Sequence, residues 1–214
     1  MKKIAIFGIG GFAKELADLA IDQGYTEICF LARNVQNQQM LLGFPVIDES
    51  MLSDLDNTDF AIGITDPKVR QKIYISYPHL HFPNLVHSHA SLGFGIRETL
   101  KNSKGVVIAA GARITNSCSF GDFIILSFNC TIGHDCKLDS YVSVMPGVNL
   151  SGCVHVGTCV YIGTNAAILP GKSPQELKTL NEYTTIGAGA VVLKNTLAHT
   201  TYIGAPAKEL KRND

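Results

Sequence analysis

The chain has 214 residues, 46% hydrophobic and 17% charged, enough apolar material for one large domain or two modest ones and too much for wholesale disorder. Eighteen basic and eighteen acidic side chains cancel, which gives no support to a nucleic-acid binder with its usual basic excess. No apolar run is long enough to span a bilayer, and the apolar stretch after Met1-Lys2-Lys3 closes on Lys14 and Glu15 without a small-residue cleavage site, against a signal peptide. None of the six cysteines forms a CxxC pair. Reduced core thiols and a cytoplasmic protein are therefore expected, not a disulfide framework.

Residues 3–7 read as a short buried strand, and Gly8-Ile9-Gly10-Gly11 as a tight turn. Phe12 to Gln23 carries apolar residues at helical spacing (Phe12, Leu16, Leu19, Ala20) and stops at Gly24. Ile28 to Leu31 and Phe60 to Ile64 predict two further strands. Pro67 to Tyr77 predicts a second helix, with Pro67 placed for its first turn. This order implies a small Rossmann-like parallel sheet flanked by helices, an α/β domain assigned to residues 1–82.

From Val86 the pattern changes to a period of six. Every sixth residue from Ile108 to Ile168 is large and apolar, through Ile114, Phe120, Leu126, Ile132, Leu138, Val144, Leu150, Val156 and Ile162. Four residues after each stands a second apolar residue, from Ala112 and Cys118 through Cys136 to Ala166, failing only at Lys172. Neither a helix nor an alternating strand has this period. A parallel β-helix of hexapeptides does, with the first position pointing inward and the fifth packing beside it. The period breaks across Arg97 to Lys104 and again across Lys172 to Thr179, where about six residues read as a loop pushed out of the coil. The all-β unit is assigned to residues 83–214.

Ile132-Gly133, Val156-Gly157, Ile162-Gly163 and Ile186-Gly187 follow a pattern that resembles the hexapeptide acyltransferases. With the glycine turn, Ile62-Gly63, Asn84-Leu85-Val86-His87, Gly133-His134-Asp135-Cys136, Ile186-Gly187-Ala188-Gly189-Ala190 and Gly204-Ala205-Pro206-Ala207, nearly the whole chain resembles the bacterial sugar O-acyltransferases, the sialic-acid O-acetyltransferase-like family. That family includes the N-acetyltransferases of nucleotide-linked 4-amino-4,6-dideoxy sugars. The resemblance implies a left-handed β-helix, a homotrimer, acetyl-CoA as co-substrate and a role in glycan biosynthesis. The chain departs from the family at Ala32-Arg33, where uridine-nucleotide binders commonly carry two acidic residues. Ser143 and Ser127 stand where many members have His and Asn.

His134 and Asp135 occupy the third and fourth positions of their hexapeptide, so both should stand outside the coil at a corner. An imidazole near its ordinary pKa of about 6.5 suits a general base, and an adjacent carboxylate fixes its tautomer. No cysteine or serine is expected beside it for a covalent intermediate, and Cys136, at an inward position, should be inert. The substrate is assigned to Gly8, Gly10 and Gly11, whose amides can approach a diphosphate, and to Ala32, Arg33, Gly63 and Ser127. Arg33 offers donors and no acceptor, which favours a base carbonyl, a ring nitrogen or a phosphate. The resemblance implies that Ser151-Gly152, one coil after His134, supplies the oxyanion amide. By the resemblance, the donor's arm passes Ser143, Thr164, Gly187 and Ala188, with Lys194, Lys208, Lys211 and Arg212 near its phosphates. No metal is expected, because His134, His155 and His199 have no close imidazole pair. His79, His81, His87 and His89 cluster at the domain junction, where packing suffices to explain them.

The expected activity is acetyl-CoA-dependent N-acetylation of a nucleotide-linked amino sugar by direct attack. Two rivals stand beside it: O-acetylation of a free sugar of the sialic-acid type, and a non-catalytic scaffold with a ligand-sensing front. No nucleic acid or membrane partner is expected.

Overall fold

The computed structural model describes residues 1–35 and 39–210. In the front unit β1 (Lys3–Phe7), α1 (Gly11–Asp22), β2 (Glu27–Ala32), β3 (Met40–Leu41), β4 (Phe44–Asp48), β5 (Asp59–Ile62) and α2 (Pro67–Ser76) follow in chain order. The sheet order is β3-β4-β2-β1-β5, parallel except for the β3–β4 hairpin. The strand cores are buried on both faces, as a parallel sheet between layers requires. β3 and β4 escape the sequence pattern because Pro45 and Gly43 interrupt a stretch without alternation.

The remainder is a left-handed parallel β-helix with three faces. The first face stacks residues 107–108, 125–126, 143–144, 161–162 and 185–186. The second stacks 113–114, 131–132, 149–150, 167–168 and 191–192, and the third 119–120, 137–138, 154–156 and 178–180. From Val107 to Val156 partners lie 18 residues apart, so the inward position of each hexapeptide falls on its equivalent in the next coil. Ile108, Leu126, Val144 and Ile162, and their counterparts on the other faces, form one buried column. At Val156↔Leu180 the step becomes 24 residues, which places the six-residue extrusion at 172–177. At the other end α3 (Ile96–Leu100) replaces a third-face strand and plugs the column with Ile96 and Leu100.

Each corner turns on a residue in the left-handed region at the fourth hexapeptide position: Ser117, Asp135 and Cys153 on one, Gly111, Asn129, Gly147 and Asn165 on another. Asn and Gly tolerate this conformation best. The front unit docks on the first face, where the outward residues Val107 and Ile125 pack with Leu16, Leu19 and Ala20 of α1. Arg70 of α2, 2% exposed, crosses the junction. It donates to the carbonyls of Ile64 and Thr65 in the front unit and of Phe123, Tyr141 and Val142 in the coil, at 2.6–3.2 Å.

Candidate active site

His134 and Asp135 lie on the corner between the second and third faces, the corner opposite the face that carries the front unit. The imidazole is 60% and the carboxylate 31% exposed, and His134 Nδ1 meets Asp135 Oδ2 at 2.6 Å. The left-handed turn at Asp135 (φ 56°) folds its carboxylate back beside the ring. With Nδ1 donating to the carboxylate, Nε2 is left as the proton acceptor. The ring lies over the next coil at Gly152, where a Cβ would stand 2.6 Å from Nε2. Glycine at 152 therefore leaves room for the base. The Gly152 amide donates to no acceptor among the described residues, which fits it for a developing oxyanion.

Cys153 lies one coil above Asp135, and its Sγ is within 4.8 Å of ligand atoms of both His134 and Asp135. This corrects the expectation that no cysteine sits beside the base. The 18-residue spacing from Asp135 carried that signal. Cys153 is only 5% exposed, so it presents little surface to an acyl donor. Cys136 is buried beneath and donates to the Ser151 carbonyl at 3.2 Å. A hydrogen bond with the Cys118 thiol, and then burial, push its pKa far up.

Other assigned residues separate into distinct places. Thr164, Gly187 and Ala188 lie on the corner between the first and second faces, so they do not share a groove with Gly152 on one chain. Ser127 is buried on that same corner, away from His134. Ser143 is fully buried under the front unit and donates to the Thr65 carbonyl at 2.7 Å. Its hydroxyl is already used in the junction, which corrects its assignment to the donor. Lys194 is exposed on the His134 corner, in the same third hexapeptide position three coils on. Lys208 is exposed in the last strand, and Lys211 and Arg212 lie outside the described residues. His155 pairs with Asp139 on the third face at 2.8 Å, away from His134.

In the front unit the glycine turn opens at the carboxyl end of β1. Gly10 precedes α1 as its N-cap and offers no side-chain cap, and the first turn holds no acid, whereas Asp66 caps α2. The first amides of α1 are thus left for an external anion. Gly63 has a packing reason: a Cβ there would lie 2.6 Å from the Ala13 Cβ. Ala32 ends β2 beside Asp48, which ends β4, and Arg33 and Glu49 follow them. Arg33 Nε donates to Glu49 Oε2 at 2.9 Å, which raises the guanidinium pKa. Pairing Arg33 with an acid was not visible in the sequence, because Glu49 arrives through the unpredicted β4. A cavity of about 240 Å³ between α1 and the coil is lined by Phe12, Glu15, His87, Ala109, Ala110 and Phe128. Burial there, with Asp18 nearby, raises the Glu15 pKa. A larger cavity of about 450 Å³ lies at the opposite edge of the sheet, among Lys3, Ile28, Phe44 and Leu55, far from the glycine turn and from His134.

The family model of the PglD N-terminal domain matches residues 3–77. The acetyltransferase domain of PglB from Neisseria gonorrhoeae FA1090, solved with acetyl coenzyme A, is 30% identical with a TM-score of 0.85, covering 98% of this chain and 99% of that one. PerB from Caulobacter crescentus, solved with CoA and GDP-perosamine, is 26% identical with a TM-score of 0.82, covering 99% and 98%. The GDP-perosamine N-acetyltransferase of Escherichia coli O157:H7 is 27% identical over 235 residues, spanning 100% of this chain and 98% of the relative. A left-handed β-helix with an imidazole–carboxylate pair on its corner, behind a small α/β unit, defines an acetyltransferase. The chain belongs to the family of the PglB acetyltransferase domain.

Proposed function

We propose that the protein transfers the acetyl group of acetyl-CoA to the amino group of a nucleotide-linked amino sugar. The observation that carries this reading is the exposed His134–Asp135 pair with Nε2 poised over Gly152. The neutral amine attacks the thioester carbonyl directly, and the carbon–sulfur bond breaks as the tetrahedral adduct collapses. Nε2 takes the proton that the nitrogen loses, and the departing CoA thiolate receives one in turn. Asp135 holds the tautomer and stabilises the imidazolium. The Gly152 amide faces the charge that develops on the carbonyl oxygen.

The nucleotide belongs to the front unit at 1–82, where the uncapped start of α1 suits a diphosphate, and the chemistry belongs to the coil at 83–214. Within one chain the glycine turn and His134 lie on opposite sides of the coil, and the donor residues are divided between two corners. A homotrimer, in which the His134 corner of one copy meets the front unit and the Thr164–Ala188 corner of the next, brings both sets together. No helix among the described residues is long and apolar enough to cross a membrane, and the cytoplasm, which holds acetyl-CoA, is the assigned compartment.

The test is thiol release from acetyl-CoA with GDP-, UDP- and dTDP-linked 4-amino-4,6-dideoxy sugars. His134→Ala is expected to lower turnover by about 10²–10⁴-fold with acetyl-CoA affinity unchanged, and Asp135→Asn by less. Turnover of His134→Ala within threefold of the parent would remove His134 from the mechanism. A monomer in light scattering would remove the shared site.

A further inference from the structure

Where a parallel sheet binds a nucleotide at a glycine turn, the ribose and base extend past the carboxyl end of β2. In this chain that edge carries Arg33 and, from the neighbouring β4, Glu49. Ala32 and Asp48 are direct partners in the sheet register, so the residues that follow them, Arg33 and Glu49, leave the sheet side by side. Their side chains meet through Nε and Oε2. The Tyr77 hydroxyl lies 3.5 Å from the same oxygen, and the Glu49 side chain is only 17% exposed. The acid is thus held in place. The guanidinium, at 73% exposure, reaches outward, and its two terminal amino groups have no acceptor among the described residues.

We infer that the Arg33–Glu49 pair reads the nucleobase and selects guanine. The inference rests on the nucleotide-sugar reading above and deepens it. The pair presents donors beside a carboxylate, in that order along the sheet edge. A base complementary to it offers an acceptor next to two donors. Guanine does: O6 accepts from Arg33, and N1–H and the 2-amino group donate to Glu49. Uracil and thymine offer an acceptor, a donor and then a second acceptor, which sets O2 against the carboxylate. Adenine and cytosine place an amino group against the guanidinium. Glu49 takes the acidic role that Ala32-Arg33 lacks, from a strand further along the edge.

The experiment is titration calorimetry of the full chain with GDP, UDP and xanthosine diphosphate. Xanthine keeps N1–H and O6 but replaces the 2-amino donor with a carbonyl. The parent is expected to rank GDP first, by about tenfold or more, the scale of one charge-assisted hydrogen bond. Glu49→Gln, whose amide can accept from N1–H and donate to O2, is expected to weaken GDP and to place xanthosine diphosphate above it. Arg33→Ala should weaken both purine diphosphates together. Acetyl-CoA affinity and thermal unfolding of each variant report folding, and Glu49→Ala, which should lose GDP preference without gaining xanthosine diphosphate, repeats the test. Equal affinities for GDP and UDP in the parent, or a Glu49→Gln change that scales all three alike, would overturn base reading while acetyl transfer stands. No acetyl transfer to any nucleotide-linked amino sugar would overturn the underlying function, and the base reading with it.

Discussion

Replacing Arg70 with methionine tests what holds the front unit against the coil. Methionine keeps much of the stem volume and removes all five hydrogen bonds. The Thr65 and Val142 carbonyls keep other partners, Ser143 Oγ and the Ile125 amide. The Ile64, Phe123 and Tyr141 carbonyls have no other donor among the described residues. Each newly orphaned buried carbonyl costs about 1–3 kcal/mol. Against that stands relief from burying a cation without a carboxylate partner. Burial already pulls the Arg70 pKa down to about 9, which leaves it charged at neutral pH. The expected net loss is about 3–5 kcal/mol, roughly 6–20 °C in midpoint for a chain of this size. Thermal and urea unfolding of Arg70→Met and Arg70→Lys measure it, with lysine intermediate because its single ammonium cannot span the five carbonyls. A methionine variant within about 0.5 kcal/mol of the parent would refute the claim that these bonds secure the junction.

Gly152→Ala is expected to reduce kcat about 100-fold, because the new Cβ displaces the imidazole it meets at 2.6 Å and an error of about 1 Å has that scale. Circular dichroism should be unchanged, and near-parent kcat would mean that the ring need not rest there. Asp22 accepts from the Ser88 amide and hydroxyl, which holds its pKa down at about 2 against an ordinary 3.8. A depressed carboxylate stabilises the fold above its unfolded pKa and loses that contribution as pH falls through its folded one. Acid unfolding should therefore steepen between about pH 4 and pH 2, and Asp22→Asn should flatten that limb. All six cysteines are free and buried, and burial raises Cys29 to about 11 and Cys130 to about 12. A thiol reagent should leave the native chain almost untouched and titrate six groups after denaturation.

The coil was legible because its signal repeats: the same inward position is filled from Ile108 to Ile168, and all of these residues are buried. The corner site was legible for a related reason, since third and fourth positions sit at the corners of the coil. The docking face also leaves a trace in the sequence. In its first two coils the outward positions are Val107 and Ile125, whereas the corresponding positions of the other faces are Arg113, Thr131, Ser119 and Lys137. What the period could not show was which corners adjoin. Thr164 and Gly152 are close in sequence and stand on different edges, a distinction that needs the triangular cross-section. Ser143 was misplaced because family position says nothing of what packs above it. Glu49 and Arg33 meet through a strand that breaks the alternation rule, so no local pattern linked them.

The stacked corner behaves as a graduated scale. His134, Gly152, Pro170 and Lys194 hold the same position in four successive coils, with marks about 4.8 Å apart. Any two groups along that edge are separated by a whole number of marks, and His134 and Lys194 by about 14 Å. Because 172–177 is extruded in full, the scale passes that loop without a lost or added mark. Reach along this edge can therefore change only in whole coils. A donor with a shorter arm would require the lysine at the position of Pro170, one whole coil back, whereas a change of one or two residues would destroy the column.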